Sequence, residues 1–302
     1  MLSEAVIEAI KEFVSEENVK VNASLSEYTS FKIGGPAEAV IDISNEQQLM
    51  RVINYLKMVE TNYCILGNGS NTLFADAGFQ GVVLRIGNKF SDVSVRGDEI
   101  IAQGGALLVQ VAKMAQANGL SGLEFAAGIP GTVGGGVIMN AGAYDGEMSY
   151  VVKQVRAISP KGDVQEFDGE ALDFGYRKSV LKNSGFIVTE VVFKLAYGDS
   201  EEILAKMNDF NARRREKQPL EYPSAGSTFK RPEGYYAGQL IMEAGLRGFQ
   251  IGGARVSDKH CGFIINVNKA SAADVCDLIG EVQARVKARF GVDLEPEIVI
   301  IR

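Results

Sequence analysis

Hydrophobic and polar positions alternate along the chain with two different periods, which predicts a mixture of helices and strands. Apolar side chains recur with the period of a helix in several stretches, most of which carry a capping signal at one end. These predicted helices are residues 3–18, the segment from a capping box at Ser44 and Gln47 to Val59, Leu107–Asn118 closed by Gly119, 200–217, and the segment after a capping box at Ser271 and Asp274. The last helix faces inward with Val275, Leu278, Ile279, Val282 and Val286.

Short apolar or alternating runs predict the strands. They are Ala39–Ile43, Tyr63–Leu66, Val82–Ile86, a hairpin around Gly97 and Asp98, the pair Val151–Ser159 and Val164–Phe167, Phe186–Leu195, Phe249–Ile251, Phe263–Val267 and Leu294–Ile301. A change of composition near Tyr197 predicts a domain boundary at 196–200.

Two glycine-rich segments are the first candidates for chemistry: Gly67–Asn71, directly after a predicted strand, and the uncharged stretch Phe125–Tyr144, which has six glycines and Pro130. Glycine lets a ligand approach the backbone, and successive N–H groups in such loops bind anions. Neither segment has the spacing of a Rossmann site or of a P-loop. Tight turns without a ligand are the alternative, but the two segments together favour a dinucleotide cofactor held outside a Rossmann fold.

Composition and charge narrow the class of function. The 302 residues carry a net charge of −7, which disfavours a nucleic-acid partner. A single histidine, His260, and three widely spaced cysteines argue against a disulfide framework and a metal site, so no metal is expected. The acidic start lacks the features of a signal peptide, and the long uncharged stretch is too rich in glycine for a membrane span. We therefore expect a cytoplasmic protein.

Short motifs spread along the chain carry a resemblance to a known enzyme family. They are Thr29–Ala37, Leu66–Thr72, Gly128–Gly135, Met139–Tyr144, Tyr176–Ser179, Ala225–Lys230, Ser257–Phe263 and Leu294–Glu297. Taken together and in this order they are highly specific. Over nearly its whole length, the chain resembles the UDP-N-acetylenolpyruvoylglucosamine reductase (MurB) family of peptidoglycan synthesis.

The resemblance implies an α+β fold with an FAD-binding domain of the vanillyl-alcohol-oxidase (PCMH) type in two subdomains and a C-terminal α+β substrate-binding domain. The expected bounds are 1–28 for an N-terminal helical arm, 29–196 for the FAD-binding domain and 200–302 for the C-terminal domain. The resemblance also implies non-covalent FAD, NADPH as hydride donor, a UDP-linked amino sugar as substrate, and a monomer or weak oligomer.

The activity implied is that of a UDP-N-acetylmuramate dehydrogenase, which reduces the enolpyruvyl group of UDP-N-acetyl-3-O-(1-carboxyvinyl)glucosamine to UDP-N-acetylmuramate. Another flavin oxidoreductase of the PCMH fold is an alternative, but it would need a base that is often histidine. A non-catalytic nucleotide-sugar-binding protein is the second alternative. The presence of Arg177, Ser227 and Glu297 argues against it.

The resemblance also assigns residues to the site. Its FAD-binding residues are Gly67, Asn68, Gly69, Ser70, Asn71, Thr72, Gly128, Ile129, Pro130, Gly131, Thr132, Gly134, Gly135, Asn140, Ala141 and Gly142. Ser227 is implied as the proton donor, with Arg177 and Glu297 stabilising the intermediate. Glu297 would repel an enolate, so we expect it to be protonated or to orient its neighbours. Without the resemblance, Arg177 would read as a solvated basic patch, Ser227 as a turn residue and Glu297 as a water-facing strand end.

Three cations are candidates for the diphosphate of the substrate, namely Lys217, Lys230 and Arg231. The alternative for Lys217 is a simple interaction with the end of helix 200–217. Gly136 and Asp145 stand where the family pattern leads us to expect alanine and glycine, which puts local backbone detail in question there. The chain resembles the shorter class of the family, which lacks an inserted tyrosine loop.

Overall fold

A computed structural model describes residues 2–302 of the chain. Its α-helices are α1 (Glu4–Phe13), α2 (Glu46–Met58), α3 (Leu108–Ala117), α4 (Val133–Ile138), α5 (Ser200–Lys217), α6 (Ala237–Glu243) and α7 (Ala272–Phe290). Short 3₁₀ helices cover Glu16–Asn18, Leu25–Glu27, Glu124–Gly128, Met148–Tyr150 and Gly169–Leu172. No helix within residues 2–302 is both long enough and apolar enough to cross a membrane.

The strands are short and belong to several sheets. They are β1 (Val19–Ser24), β2 (Pro36–Asp42), β3 (Tyr63–Leu66), β4 (Thr72–Phe74), β5 (Phe79–Arg85), β6 (Val93–Arg96), β7 (Glu99–Gln103), β8 (Leu120–Ser121), β9 (Gly142–Ala143), β10 (Gly146–Glu147), β11 (Val152–Ile158), β12 (Val164–Asp168), β13 (Ile187–Lys194), β14 (Ala196–Tyr197), β15 (Gln250–Ile251), β16 (Ala254–Val256), β17 (Ile264–Asn266) and β18 (Val299–Ile301).

The chain divides into two compact units that are interleaved along the sequence. Unit 1 comprises the residues up to Val21 together with Ala39–Asn68 and Gly81–Arg214. Unit 2 comprises Asn22–Glu38, Gly69–Gln80 and Arg215–Arg302. Domain bounds of 1–28, 29–196 and 200–302 remain a prediction.

Unit 1 has two hydrophobic cores, each beside its own sheet. The first core joins α1 and α2 to the sheet of order β1-β2-β5-β3 through buried residues such as Ile10, Leu49 and Leu84. The second core joins α3, α4 and α5 to the antiparallel sheet of order β12-β11-β13-β7-β6, with Val137 and Phe193 among its residues.

Unit 2 is built around the long helix α7. The helix starts with the predicted capping box, in which Ser271 Oγ accepts from the Asp274 N–H while Asp274 accepts from the Ser271 N–H. The apolar face predicted for it is buried against α6 and the sheet of order β15-β16-β17. Strand β18 pairs in parallel with β4, so residues from both ends of the sequence share this core.

Most predicted elements agree with the structure, and three differ for physical reasons. Helix α2 is capped by Asn45, whose side chain accepts from the Gln48 N–H, so a cap at Ser44 is wrong by one residue. The first helix ends at Phe13 rather than near residue 18. The last strand begins only at Val299, and Pro296 before it forms an isolated antiparallel bridge with Phe229.

Candidate functional site

In unit 1 the two glycine-rich segments lie against each other. Asn68 Nδ2 donates to the Pro130 carbonyl oxygen at 2.5 Å. A Cβ on Gly67 would lie 2.5 Å from Thr132 Oγ1, so only glycine fits at this crossing. The hydroxyl of Thr132 in turn caps α4 by accepting from the Gly135 N–H at 3.3 Å. Residues that lie far apart in the sequence, and that are predicted to bind the same cofactor, are thus neighbours in the structure.

Helix α4 occupies the middle of the stretch that reads as a glycine-rich loop in the sequence. Gly134 faces the protein, where an added Cβ would lie 3.1 Å from the Gly104 carbonyl oxygen. Gly135 is exposed, and its Cβ would meet only Thr132 Oγ1, at an ordinary 3.4 Å. Packing therefore requires glycine at position 134 but does not require it at 135. An exposed backbone that needs no side chain is the surface that a phosphate-bearing cofactor can approach closely.

Asn140 is fully buried and links the glycine-rich stretch to the segment of Arg177. Its Nδ2 donates to the Gly175 carbonyl oxygen at 3.1 Å, and its Oδ1 accepts from the Ser149 N–H at 3.0 Å. Both polar atoms of the side chain are therefore engaged within the protein. The direct role of this side chain is to hold loops in place, while nearby Gly142 is partly exposed.

Arg177 lies in the same unit, half-buried, beside Gly142. Its Nη2 lies 3.5 Å from the Gly142 carbonyl oxygen, and its guanidinium stacks over the Tyr176 ring at 5.0 Å. The residue has a φ of 54°, in the left-handed region that few non-glycine residues adopt. Such strained backbone often marks a functional position, and here it places a permanent cation next to the predicted FAD residues.

The second half of the Gly67–Thr72 segment belongs to unit 2. Gly69 has a φ of 61°, and a Cβ there would lie 2.1 Å from the Tyr28 carbonyl oxygen. Asn71 Nδ2 donates to the Glu297 carbonyl oxygen at 3.2 Å, and the Asn71 carbonyl accepts from the Val299 N–H at 2.9 Å. Predicted cofactor residues therefore adjoin the backbone of a predicted catalytic residue.

Ser227 and Glu297 also come together in unit 2. The Glu297 N–H donates to the Thr228 carbonyl oxygen at 2.8 Å, and Phe229 and Pro296 form an antiparallel bridge. Thr228 is buried, with its hydroxyl accepting from the Ile264 N–H at 3.0 Å, so it anchors the segment. Its neighbour Ser227 is exposed.

The three candidate substrate cations have different surroundings in unit 2. Lys230 forms an ion pair with Glu295, so its charge already has a partner. The guanidinium of Arg231 stacks over the Tyr236 ring at 4.4 Å, which fixes its plane. Lys217 is exposed at the last position of α5.

Arg214 is a candidate site residue that sequence reasoning did not single out from the run Arg213–Lys217. It is half-buried in unit 1, with its side chain packed at Gly128, where an added Cβ would lie 3.0 Å from Arg214 Cδ. Burial lowers the pKa of this guanidinium, while nearby Tyr144 opposes the shift. Within residues 2–302 it forms no ion pair. A desolvated cation against a predicted FAD loop suits an anionic ligand group.

The two departures from the family pattern have local explanations. A methyl group on Gly136 would lie 3.0 Å from Leu108 Cδ1, so glycine relieves close packing there. Asp145 has a φ of 65°, a conformation in which glycine is the favoured residue and aspartate is tolerated. His260 accepts from the Gly262 N–H at 3.1 Å, and burial lowers its pKa, which agrees with a structural role.

Comparison with known proteins first defines the class. Residues 37–168 match the family model described as an FAD binding domain. The fold is also shared with alkyldihydroxyacetonephosphate synthase, which has a TM-score of 0.51 and 15% identity over 65% of this chain and 41% of the other. The chain is therefore an FAD-binding flavoprotein oxidoreductase, and the predicted α+β fold with a PCMH-type domain is confirmed.

The C-terminal part of the chain narrows the class to one family. Residues 218–301 match the C-terminal domain of UDP-N-acetylenolpyruvoylglucosamine reductase. Reductases of that name from Clostridium perfringens and Clostridioides difficile are 48% and 46% identical over 96% and 95% of this chain, and each alignment covers 95% of the relative. The crystal structure of the Thermus caldophilus reductase has a TM-score of 0.81 and 38% identity over 94% of this chain and all of its own. The chain belongs to the UDP-N-acetylenolpyruvoylglucosamine reductase family.

Proposed function

We propose that this protein is a UDP-N-acetylmuramate dehydrogenase, which reduces the enolpyruvyl ether of a UDP-linked amino sugar to a lactyl ether with electrons from NADPH. The observation that carries the proposal is the backbone of Glu297 in unit 2. Its N–H binds the residue after Ser227, and its carbonyl binds Asn71 of the cofactor segment. Residues expected to hold the cofactor, donate the proton and stabilise charge are thereby joined by two hydrogen bonds.

The described residues fit FAD as the bound group. No packing contact requires glycine at position 135, and Arg214 supplies a desolvated positive charge beside Gly128. We propose the FAD-binding set as predicted, from Gly67–Thr72 through Gly128–Gly135 to Asn140–Gly142, with Arg214 added. When bound, FAD supplies the hydride-transfer chemistry that no side chain of the protein can perform.

Ser227 is the proposed proton donor to the α-carbon of the substrate. A hydroxyl is a weak acid, but an enolate is a strong base, so proton transfer from the serine to the enolate is energetically feasible. Ser227 fits because its side chain is exposed while buried Thr228 holds its backbone in place. Glu297 is the proposed orienting or protonated partner, since an ionised carboxylate would oppose charge on the substrate.

Arg177 is proposed to bind the carboxylate of the enolpyruvyl group. A guanidinium presents paired donors to a carboxylate and stays charged at any working pH. For the diphosphate, Lys217, Lys230 and Arg231 are the proposed contacts. Lys230 must first give up its ion pair with Glu295, so we expect it to contribute less than Lys217.

The decisive experiment follows the flavin colour of purified protein. A yellow protein that NADPH bleaches without oxygen, and that the enolpyruvyl nucleotide sugar at once restores, supports the proposal. Protein that takes up no FAD would refute it, and rapid reoxidation by air alone would favour an oxidase.

The order of the two substrates is tested by kinetics. If NADPH leaves before the nucleotide sugar enters, initial rates give parallel double-reciprocal lines. Intersecting lines would contradict that order.

The substrate also bears on location and assembly. UDP-linked sugars and NADPH are cytoplasmic metabolites, so we propose that the enzyme works in the cytoplasm. We further propose that it acts as a monomer or weak oligomer. Sedimentation velocity of the FAD-loaded protein tests the second point, and a stable large assembly would contradict it.

A further inference from the structure

Unit 2 contains a cavity that is separate from every residue proposed above for FAD, NADPH, substrate or proton transfer. Its volume is about 590 Å³, within the range of small-molecule sites. Its walls come from Ser26, the turn Lys32–Gly35, Asp76, Pro223 and the segment Asn266–Ser271. None of these residues has a role in the proposed reaction.

The side chains that line the cavity carry more positive than negative charge. Lys32 and Lys269 both line it, and neither forms an ion pair in the part of the chain that the structure describes. The single lining carboxylate, Asp76, accepts from the N–H groups of Ala272 and Ala273 at 2.7 and 2.9 Å. Its charge is engaged by the start of α7, so the two ammonium groups remain for a ligand.

Both lysines are exposed, and the backbone that carries them is held in place. Both have left-handed backbones, with φ of 58° at Lys32 and 48° at Lys269. The buried side chain of Asn266 links the two turns. Its Nδ2 donates to the Phe31 carbonyl at 3.2 Å, and its Oδ1 accepts from the Ala270 N–H at 2.9 Å. One amide therefore fastens the residue before the first lysine to the residue after the second.

We propose that this cavity binds a small organic anion that carries phosphate or carboxylate groups. Lys32 and Lys269 bind the charged groups, while the partly exposed Pro223 and Val267 offer apolar surface to the remainder of the ligand. Ammonium groups bind such oxygens as point charges and accept either phosphate or carboxylate. The site does not depend on the reductase activity, so binding is its direct test.

The test is calorimetric titration of the FAD-loaded protein with inorganic pyrophosphate and, separately, with citrate. Lys32→Asn combined with Lys269→Asn removes both charges, and asparagine tolerates the left-handed backbone of these positions. Lys161→Asn, in an exposed turn elsewhere, is the matched control. We expect the double variant to weaken one binding event at least tenfold, while the control matches wild type. Lys32→Arg and Lys269→Arg should retain binding.

Pyrophosphate can also occupy the proposed diphosphate site, so Lys217→Ala is titrated in parallel. Two binding events support a second site if the Lys32 and Lys269 double variant weakens one of them and Lys217→Ala weakens the other. Binding of pyrophosphate alone would identify a phosphate ligand, and binding of citrate alone a carboxylate ligand. The proposal is overturned if the double variant matches wild type, or if wild type shows only the event that Lys217→Ala weakens. Unchanged flavin content and melting temperature exclude misfolding, and NADPH oxidation tests the proposed function separately.

Discussion

Ser227 and Thr228 are chemically similar neighbours with opposite surroundings. The Thr228 hydroxyl is buried and accepts a backbone hydrogen bond, whereas Ser227 is exposed. Sequence reasoning ranked Ser227 above its neighbour only through the family resemblance, because either hydroxyl could satisfy a turn. Because of this contrast in burial, only Ser227 is open to a ligand, as the proposed proton donation requires.

Replacing Ser227 with alanine should separate the two halves of the proposed reaction. We expect NADPH to bleach the flavin as in wild type, because no proton from Ser227 is needed in that step. Recovery of the colour on adding the enolpyruvyl substrate should slow by about 10²–10⁴-fold, the usual contribution of a positioned acid. Stopped-flow absorbance measures both steps, with Thr228→Val as a structural comparison. Wild-type recovery in Ser227→Ala would remove Ser227 from the mechanism.

The cysteines provide a second residue-scale prediction. Burial raises the pKa of the Cys64 thiol to about 12, from an ordinary value of 9.0. At pH 8 its thiolate fraction is then about a thousandfold below that of an ordinary thiol, so alkylation by iodoacetamide should be very slow. Mass spectrometry of labelled peptides measures this, with unfolded protein as the control. Equal labelling rates of Cys64 in folded and unfolded protein would contradict the burial.

At the scale of single elements, helix α7 can be predicted from the sequence and helix α4 cannot. The capping box and apolar face of α7 are strong local signals, and the structure confirms both. Helix α4 contains three consecutive glycines, each unfavourable in a helix by about 1 kcal/mol, so no local signal predicts it. It forms because its backbone bonds outside itself, as when the Gly134 N–H donates to the Gly104 carbonyl at 2.8 Å.

Gly135→Ala should separate cofactor binding from folding. Alanine is the better helix former by about 1 kcal/mol and meets no backbone at this position, so the FAD-free protein should unfold at the same or higher urea concentration. FAD affinity should fall at least tenfold, because the methyl group occupies the surface that the cofactor approaches.

Gly134→Ala is the matched control for this experiment. Its Cβ would lie 3.1 Å from the Gly104 carbonyl oxygen, so we expect loss of stability rather than a selective loss of FAD. Flavin fluorescence titration and urea unfolding measure the two properties. Wild-type FAD affinity in Gly135→Ala would show that the helix is not part of the cofactor surface.

At the scale of the whole molecule, Glu46 ties elements of unit 1 that lie far apart in sequence. It accepts from Arg156 Nη2 at 3.0 Å and from Thr189 Oγ1 at 2.8 Å, which joins α2 to β11 and β13. Burial alone would raise the pKa of Glu46, but hydrogen bonds from Arg156 and Thr189 outweigh it and set the pKa below its ordinary value. Stability from this carboxylate is therefore present above its unfolded pKa and lost as the pH falls through the lower, folded one.

Glu46→Gln should lower the free energy of unfolding at pH 7 by about 1 kcal/mol, since the pair is partly exposed. The difference from wild type should shrink as the pH falls below 4, where the wild-type carboxylate is itself protonated. Glu166→Gln, which removes a more exposed partner of Arg156, should change less at either pH. Urea unfolding at several pH values measures these differences, and a pH-independent gap would contradict the assignment.

Interleaving of the two units could not be predicted from the sequence. Composition places one boundary near residues 196–200, but Asn22–Glu38 and Gly69–Gln80 join unit 2. The pairing of β4 with β18 spans more than two hundred residues, and no local pattern encodes so distant a partner. The fold class and the site residues could be predicted from motifs in the sequence. The interleaving of the two units is visible only in the three-dimensional packing.

The same pairing fixes an order of events during synthesis. Thr72–Phe74 is translated more than two hundred residues before its parallel partner Val299–Ile301. Unit 2 therefore cannot form this pair until Val299–Ile301 has been made, whereas the strands of the sheet of β6, β7, β11, β12 and β13 are all made a hundred residues earlier. A stop codon at position 299 should leave strand β4 of unit 2 without its partner, and the exposed strand should make the shortened chain a target for cellular proteases.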